Sequence, residues 1–354
     1  MNIYITFFLF FTSGFLISIV SNHLLLKFSQ TLEIRNKNDV VVRWSNQSKP
    51  SLGGISLFLG FLVFTFLYLI IDSEKNIFSE ITFLGLFFSG SIAFFMGLAD
   101  DAYKTKPYFK LFIQIICGVI FLSTGTFIDL FHNNLFDYPI TIIWVVVLMN
   151  SLNMLDNMDG ITATSVFFAL ISCLCSAYFI GSINEIYWIF AIVSVLGALI
   201  GFLKFNVNPS KLFMGDSGSQ FIGLFVAFFT IKYLWNLGAV TQNHSWVSLI
   251  ITLTALTPAA ADTLSVVINR LKEGKSPMIG GKDHTTHHLV YSGKSDKQVW
   301  YIFTFIGILS CLLSAAIVYL VIHGFVTWTI AFILFFIIVF IFLYRNTIKY
   351  NVPN

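Results

Sequence analysis

An all-α, polytopic membrane protein of about 11 transmembrane helices is the fold class predicted here, on three observations. Hydrophobic residues make up 57% of the 354 and charged residues only 10%, against about 25% charge in soluble globular domains. Apolar stretches near the ~20 residues needed to cross a bilayer recur along the whole chain. Between them the positive charge falls on alternate connections, the pattern of a polytopic protein with one cytoplasmic face.

Residues 3–27 form the first stretch, which is too long and lacks the small-residue cleavage site of a removed signal peptide, so it is expected to stay as a helix. Ten more follow at 52–71, 80–99, 108–128, 138–155, 161–181, 185–204, 217–236, 246–268, 298–321 and 325–344. The connections after the odd-numbered spans, with their flanks, hold all of the 20 lysines and arginines except Lys75 and Lys232. That segregation predicts an N-terminus outside, a C-terminus in the cytoplasm and residence in the inner (cytoplasmic) membrane. The 4 cysteines, Cys117, Cys173, Cys175 and Cys311, all fall within spans, where they suggest neither a disulfide framework nor a thiolate metal cluster. No repeat or long linker divides the chain, so residues 1–354 read as one domain.

The unusual polar stretches collect on the predicted cytoplasmic side: SKPSLGG (48–54), ADDAYKTK (99–106), NSLNMLDNMDG (150–160), NPSKLFMGDSGS (208–219) and GGKDHTTHH (280–288). Ionisable groups at membrane depth are expensive and mark function. Any one acid here could be a solvated helix end. Five together, at Asp100, Asp101, Asp156, Asp159 and Asp216, need positive charge nearby to stay ionised, and a divalent cation would serve. Mg²⁺ suits such a site, because it takes one or two carboxylates plus phosphate oxygens and water. Asn150, Asn153 and Asn157 share a helix face by their spacing; interhelical bonding is the competing use for Asn150. Asp216, between glycines at the start of a span, sits where helix N–H groups can meet an anion. His284, His287 and His288 have zinc-compatible helical spacing. The Glu that a zinc protease needs beside its first histidine is replaced by Thr285, so with Lys282 these histidines read as donors to a phosphorylated ligand.

Taken jointly and in order, the LGG entry to the second span, paired Asp100 and Asp101, NSLNMLDNMDG, FMGDSGS, Pro258 with Asp262 and Arg270, and the late histidine loop resemble the polyprenyl-phosphate N-acetylhexosamine-1-phosphate transferases. The resemblance implies transfer of a sugar 1-phosphate from a UDP-sugar to a membrane polyprenyl (undecaprenyl) phosphate, with release of UMP and a requirement for Mg²⁺. By motif, Asp216 and Asn153 correspond to metal ligands, and Asp100 and Asp101 to the catalytic acidic pair. Asp156 and Asp159 are counted with that pair as catalytic candidates. Lys49 and Lys110 correspond to phosphate-facing lysines, and His284, His287, His288, Lys282 and Asn150 complete the expected substrate contacts. Two departures stand out: Asn157 where Gly is common, and KDHTTHH in place of consecutive histidines. The second favours the branch that starts O-antigen, capsule or teichoic-acid glycans, with UDP-N-acetylglucosamine as donor. Expected partners are the UDP-sugar, the polyprenyl phosphate and the membrane, with no nucleic acid; a homodimer is compatible with this reading.

The chemistry of the reaction agrees with this residue set. A lipid phosphate monoester has a second pKa near 6, so a strong base is hardly required near neutrality. What the reaction requires is positioning of two repelling phosphates and neutralisation of the leaving group. Asp100 is accordingly read as orienting the lipid phosphate. A secondary transporter is the alternative from another class, but it would place its polar groups near the bilayer midplane within related repeats.

Overall fold

The computed structural model describes residues 3–32, 49–72, 76–181, 185–277 and 280–350. The charges expected at Arg35, Lys37, Arg43 and Lys75 lie outside these residues. Every regular element among the described residues is helical. In chain order these are α1 (Ile3–Leu32), α2 (Gly54–Ile71), α3 (Ile81–Tyr103), α4 (Pro107–Ser123), α5 (Asn134–Leu155), α6 (Ile161–Ile180) and α7 (Ile186–Asn206). Then come α8 (Gly215–Thr230), continued by a π-helical turn (Ile231–Trp235), and the short α9 (Leu237–Val240). The chain finishes with α10 (Ser245–Ala255), α11 (Thr257–Lys272), α12 (Thr285–Tyr291), α13 (Asp296–Ile322) and α14 (Ile333–Lys349).

All eleven predicted stretches are helical, but two depart from the expected straight span. Among the described residues nine helices are long and apolar enough to cross a membrane, or ten if the pair α10 and α11, bent by 87°, counts as one broken span. The break at Leu256 precedes Pro258 at the start of α11, whose missing N–H and fixed φ favour a new first turn over continuation of the old helix. The stretch expected at 108–128 is helical only as the 17-residue α4. It stops at Thr124 because Gly125 takes a φ of +80°, a left-handed conformation that ends a helix.

Local signals set the other boundaries. Pro107 opens α4, the Asn133 side chain accepts from Leu135 N at the start of α5, and Ser295 with Gln298 forms a capping box on α13. Within a bilayer, helices associate mainly through close packing, and α8 is the element most enclosed by it, 89% buried along its span. Phe221 and Phe225 of α8 pack on Phe58 and Phe61 of α2. Gly97 of α3 lies on the backbone of Asp216 and Ser217, and Gly54 of α2 on that of Gly218. A Cβ at either position would overlap the neighbouring helix, so glycine is what lets three helices meet at the first turn of α8.

Candidate functional site

The first turn of α8 is the centre of the site. Gly215 has a φ of +74°, which turns the chain sharply into the helix and brings Asp216 to its N-terminal end. Lys110 of α4 bonds Asp216 Oδ2 at 2.5 Å and also pairs with Asp100 Oδ2 at the end of α3. One ammonium therefore joins two carboxylates contributed by different helices. The other oxygen of Asp100 accepts from Thr105 N at 2.8 Å and Thr105 Oγ1 at 2.6 Å, so Asp100 is fixed by the connection to α4 and in turn aims Lys110.

The adjacent acid has a different task. Asp101 accepts from Asp216 N at 3.1 Å and Ser217 N at 2.9 Å, two of the backbone donors that a helix start leaves unsatisfied. It caps α8 from another helix and holds Asp216 in place. Asp159 is likewise bound into structure. Its carboxylate accepts from Ser210 Oγ at 2.7 Å, Ser210 N at 3.0 Å and Asn208 Nδ2 at 3.2 Å. Lys49 lies 3.8 Å from the same carboxylate and donates to Ser210 Oγ at 3.1 Å. Asp156 ends α5 half-buried among the other acids. Burial pushes its carboxyl up to about 8, and the charges of Asp216 and Asp101 push the same way.

Asn153 donates to Ser219 Oγ of α8 at 2.8 Å, one turn beyond Asp216. Among the described residues no three of His, Cys, Asp and Glu group as a self-sufficient metal cage. A donor set of one carboxylate and one amide carbonyl instead fits Mg²⁺, which completes its shell with phosphate oxygens and water. Asn150 sits deeper. Its amide donates to Gln114 Oε1 at 2.7 Å, and Gln114 donates to Gln220 Oε1 at 3.0 Å, so the residue ties α4, α5 and α8 together through interhelical bonds.

The histidine loop docks onto the same face by anchors that its own motif does not contain. Fully buried Asp262 of α11 accepts from Thr285 N at 2.8 Å and Thr285 Oγ1 at 2.6 Å, and lies 2.9 Å from His284 Nδ1. Arg270 grips Asp283 through two 2.7 Å bonds and reaches Pro277 O at 2.8 Å. Burial works against ionisation of Asp283, but the guanidinium outweighs it and holds the carboxyl below the usual range. Thr286 donates to Asn157 Oδ1 at 2.6 Å, joining this loop to the Asn-rich one. His287 stands edge-on to His284, with centroids 5.4 Å apart, while His288 is directed to the carbonyl of Tyr350. His284 and His288 thus take separate partners. Lys282 is exposed.

Burial lowers the His287 imidazole to about 3, helped by the neighbouring His284. Its folded pKa is thus below the unfolded value near 6.5, so the unfolded chain binds more protons between those limits and stability rises with pH across the window. The stabilisation is complete above about pH 6.5, and about 2 kcal/mol is lost by pH 5. The melting temperature in detergent should fall between pH 7 and 5, and His287→Gln should flatten that slope; equal slopes would show that folding does not lower the affinity of the ring for a proton.

Asp262, the Arg270–Asp283 pair, Gln114 and Tyr350 all serve this site, yet none belongs to the expected set of site residues. An acid within the apolar stretch 246–268 is the signal that picks out Asp262, since such groups seldom lack a purpose. Asp283, the partner of Arg270, lies in the stretch GGKDHTTHH, whereas Tyr350, the partner of His288, carries no comparable mark.

Most of the chain has known counterparts. A phospho-N-acetylmuramoyl-pentapeptide-transferase of Streptococcus pneumoniae (strain Hungary19A-6) is 26% identical over 333 residues, covering 86% of this chain and 96% of the relative. A probable undecaprenyl-phosphate N-acetylglucosaminyl 1-phosphate transferase of Bacillus subtilis (strain 168) is 24% identical over 300 residues, covering 82% and 78%. Residues 83–234 match glycosyl transferase family 4. Over that stretch the chain is similar to this family. The family 4 match runs from α3 through the π-helical turn after α8. It contains Asp100, Asp101, Lys110, Asn153, Asp156, Asp159 and Asp216, whereas the histidine loop lies beyond it.

Proposed function

We propose that this protein is a family 4 transferase that moves a sugar 1-phosphate, with N-acetylglucosamine as the sugar, from its UDP-linked donor to a polyprenyl (undecaprenyl) phosphate, releasing UMP at the cytoplasmic face of the inner membrane. The observation that carries the reading is the Asp100–Lys110–Asp216 bridge at the first turn of α8, together with a histidine loop anchored by Asp262 and Arg270 and joined to the Asn-rich loop through Thr286 and Asn157. Two anionic substrates must be brought together, and the chain supplies cationic and N–H donors from two directions.

Each residue has a task within this reading. Lys110, aimed by Asp100, contacts the lipid phosphate and offsets its repulsion of the donor. Asp216 and Asn153 would hold Mg²⁺, which when bound supplies neutralisation of the pyrophosphate and of the UMP leaving group. Asp101 keeps Asp216 in register through the two backbone bonds it accepts. The histidines and Lys282 contact the donor, with His287 neutral and therefore acting through its single N–H and not through charge. Incubating the purified protein with a panel of UDP-sugars and polyprenyl phosphate, then weighing the lipid product, tests the reading. A product heavier by a sugar phosphate is expected with UDP-N-acetylglucosamine; no lipid product from any donor would sink it.

The orientation can be probed without reference to the chemistry. Lys275→Cys should react with a membrane-impermeant thiol reagent only from the cytoplasm, and Asn243→Cys or Asn76→Cys only from outside. Labelling of Lys275→Cys on intact cells would reverse the topology.

A further inference from the structure

We propose that the outer face of α14 binds an anionic phospholipid of the surrounding bilayer, with the headgroup phosphate on Arg345 and Lys349 and an acyl chain along Ile338, Ile341 and Phe342. These five side chains recur at one-turn intervals and line one open groove of about 490 Å³. The apolar part is uncovered: Ile338 is 65% and Phe342 44% exposed, on a span only 17% buried. Among the described residues no carboxylate lines the groove.

Arg345 and Lys349 are four residues apart and therefore neighbours on the helix surface. The guanidinium can take two phosphate oxygens in a fork, while the Lys349 ammonium lies 5.1 Å from the centroid of the Tyr350 ring. A strip of acyl width beneath a pair of cations has the shape and charge of an anionic lipid. A zwitterionic headgroup would leave the pair less well neutralised, and a second copy of the chain would have to bring carboxylates of its own.

The end of α14 that carries these cations also supports the histidine loop. The Tyr350 carbonyl accepts from His288 Nδ1, Thr347 Oγ1 accepts from Asn269 at 2.8 Å, and Lys272 donates to the Tyr344 hydroxyl at 2.7 Å. A lipid that orders the last two turns of α14 therefore steadies the mount of His288. This effect on turnover rests on the function proposed above; the binding does not.

Native mass spectrometry of the full chain, with phosphatidylglycerol or phosphatidylcholine of matched acyl length added to detergent, reads the binding directly. The natural sequence should retain phosphatidylglycerol preferentially. Arg345→Gln and Lys349→Gln should each lower that preference roughly fivefold, the gain expected for one cation at an anionic surface. Melting in neutral detergent should be unchanged, and Arg345→Lys should keep most of the preference. Equal retention of both lipids, or a preference untouched by the double substitution, would overturn the proposal. So would displacement of phosphatidylglycerol by polyprenyl phosphate at these two residues, which assigns the groove to the substrate, or a dimer split by the double substitution, which assigns it to a second copy. In nanodiscs, KM for the UDP-sugar should be several-fold lower with phosphatidylglycerol than with phosphatidylcholine, and the double substitution should erase that difference; an unchanged KM would remove the coupling to His288. If no UDP-sugar turns over, the functional reading fails while the lipid preference stands.

Discussion

Asp216→Asn should lower transfer by on the order of 10²–10³-fold while leaving the helices folded. The amide matches the carboxylate in shape, and the cap supplied by Asp101 goes to the backbone N–H groups of residues 216 and 217, which the substitution keeps. What disappears is the negative charge that Lys110 meets at 2.5 Å and that Mg²⁺ would require. Turnover at saturating substrate, read beside the melting curve, separates the two effects. Near-normal turnover at ordinary Mg²⁺ would take Asp216 out of the reaction.

Asp262→Ala should be the most damaging change outside the acidic cluster. Removing the carboxylate leaves the buried N–H and hydroxyl of Thr285 and the His284 ring without their acceptor, and each orphaned group costs about 1–3 kcal/mol. The loop should release from α11, raising KM for the UDP-sugar about ten- to a hundredfold with a smaller change in turnover. Asp262→Asn keeps one acceptor oxygen and should lie between the two. A KM unchanged in both variants would mean that the histidine loop takes no part in donor binding.

The spans were legible in the sequence because bilayer thickness imposes a length on each, and the polar loops because charge at such places is rare. The structure joins these loops through side-chain bonds: Lys110 to Asp216, Lys49 to Ser210, Thr286 to Asn157. What composition could not reveal was the division of labour among similar acids. Asp100 and Asp101 are neighbours in the chain, yet one aims a lysine and the other caps a helix. That difference depends on where α8 begins relative to the end of α3, a distance that no local pattern encodes. The bend at Leu256 was hidden for a related reason, since hydropathy records how long an apolar stretch is and not whether it stays straight.

Around the acidic cluster, the contacts of Gly97 and Gly54 with α8 are made by backbone against backbone. Elsewhere in the bundle an altered residue can be absorbed by the rotation of a phenylalanine ring. Here no side chain lies between the main chains to take up the strain, so a displacement of α2 or α3 passes undamped to the carboxylate of Asp216. The core should accordingly accept many exchanges among its large apolar residues while the site keeps its shape, whereas a single methyl group at Gly97 should act as a wedge and misalign the ligand without touching it.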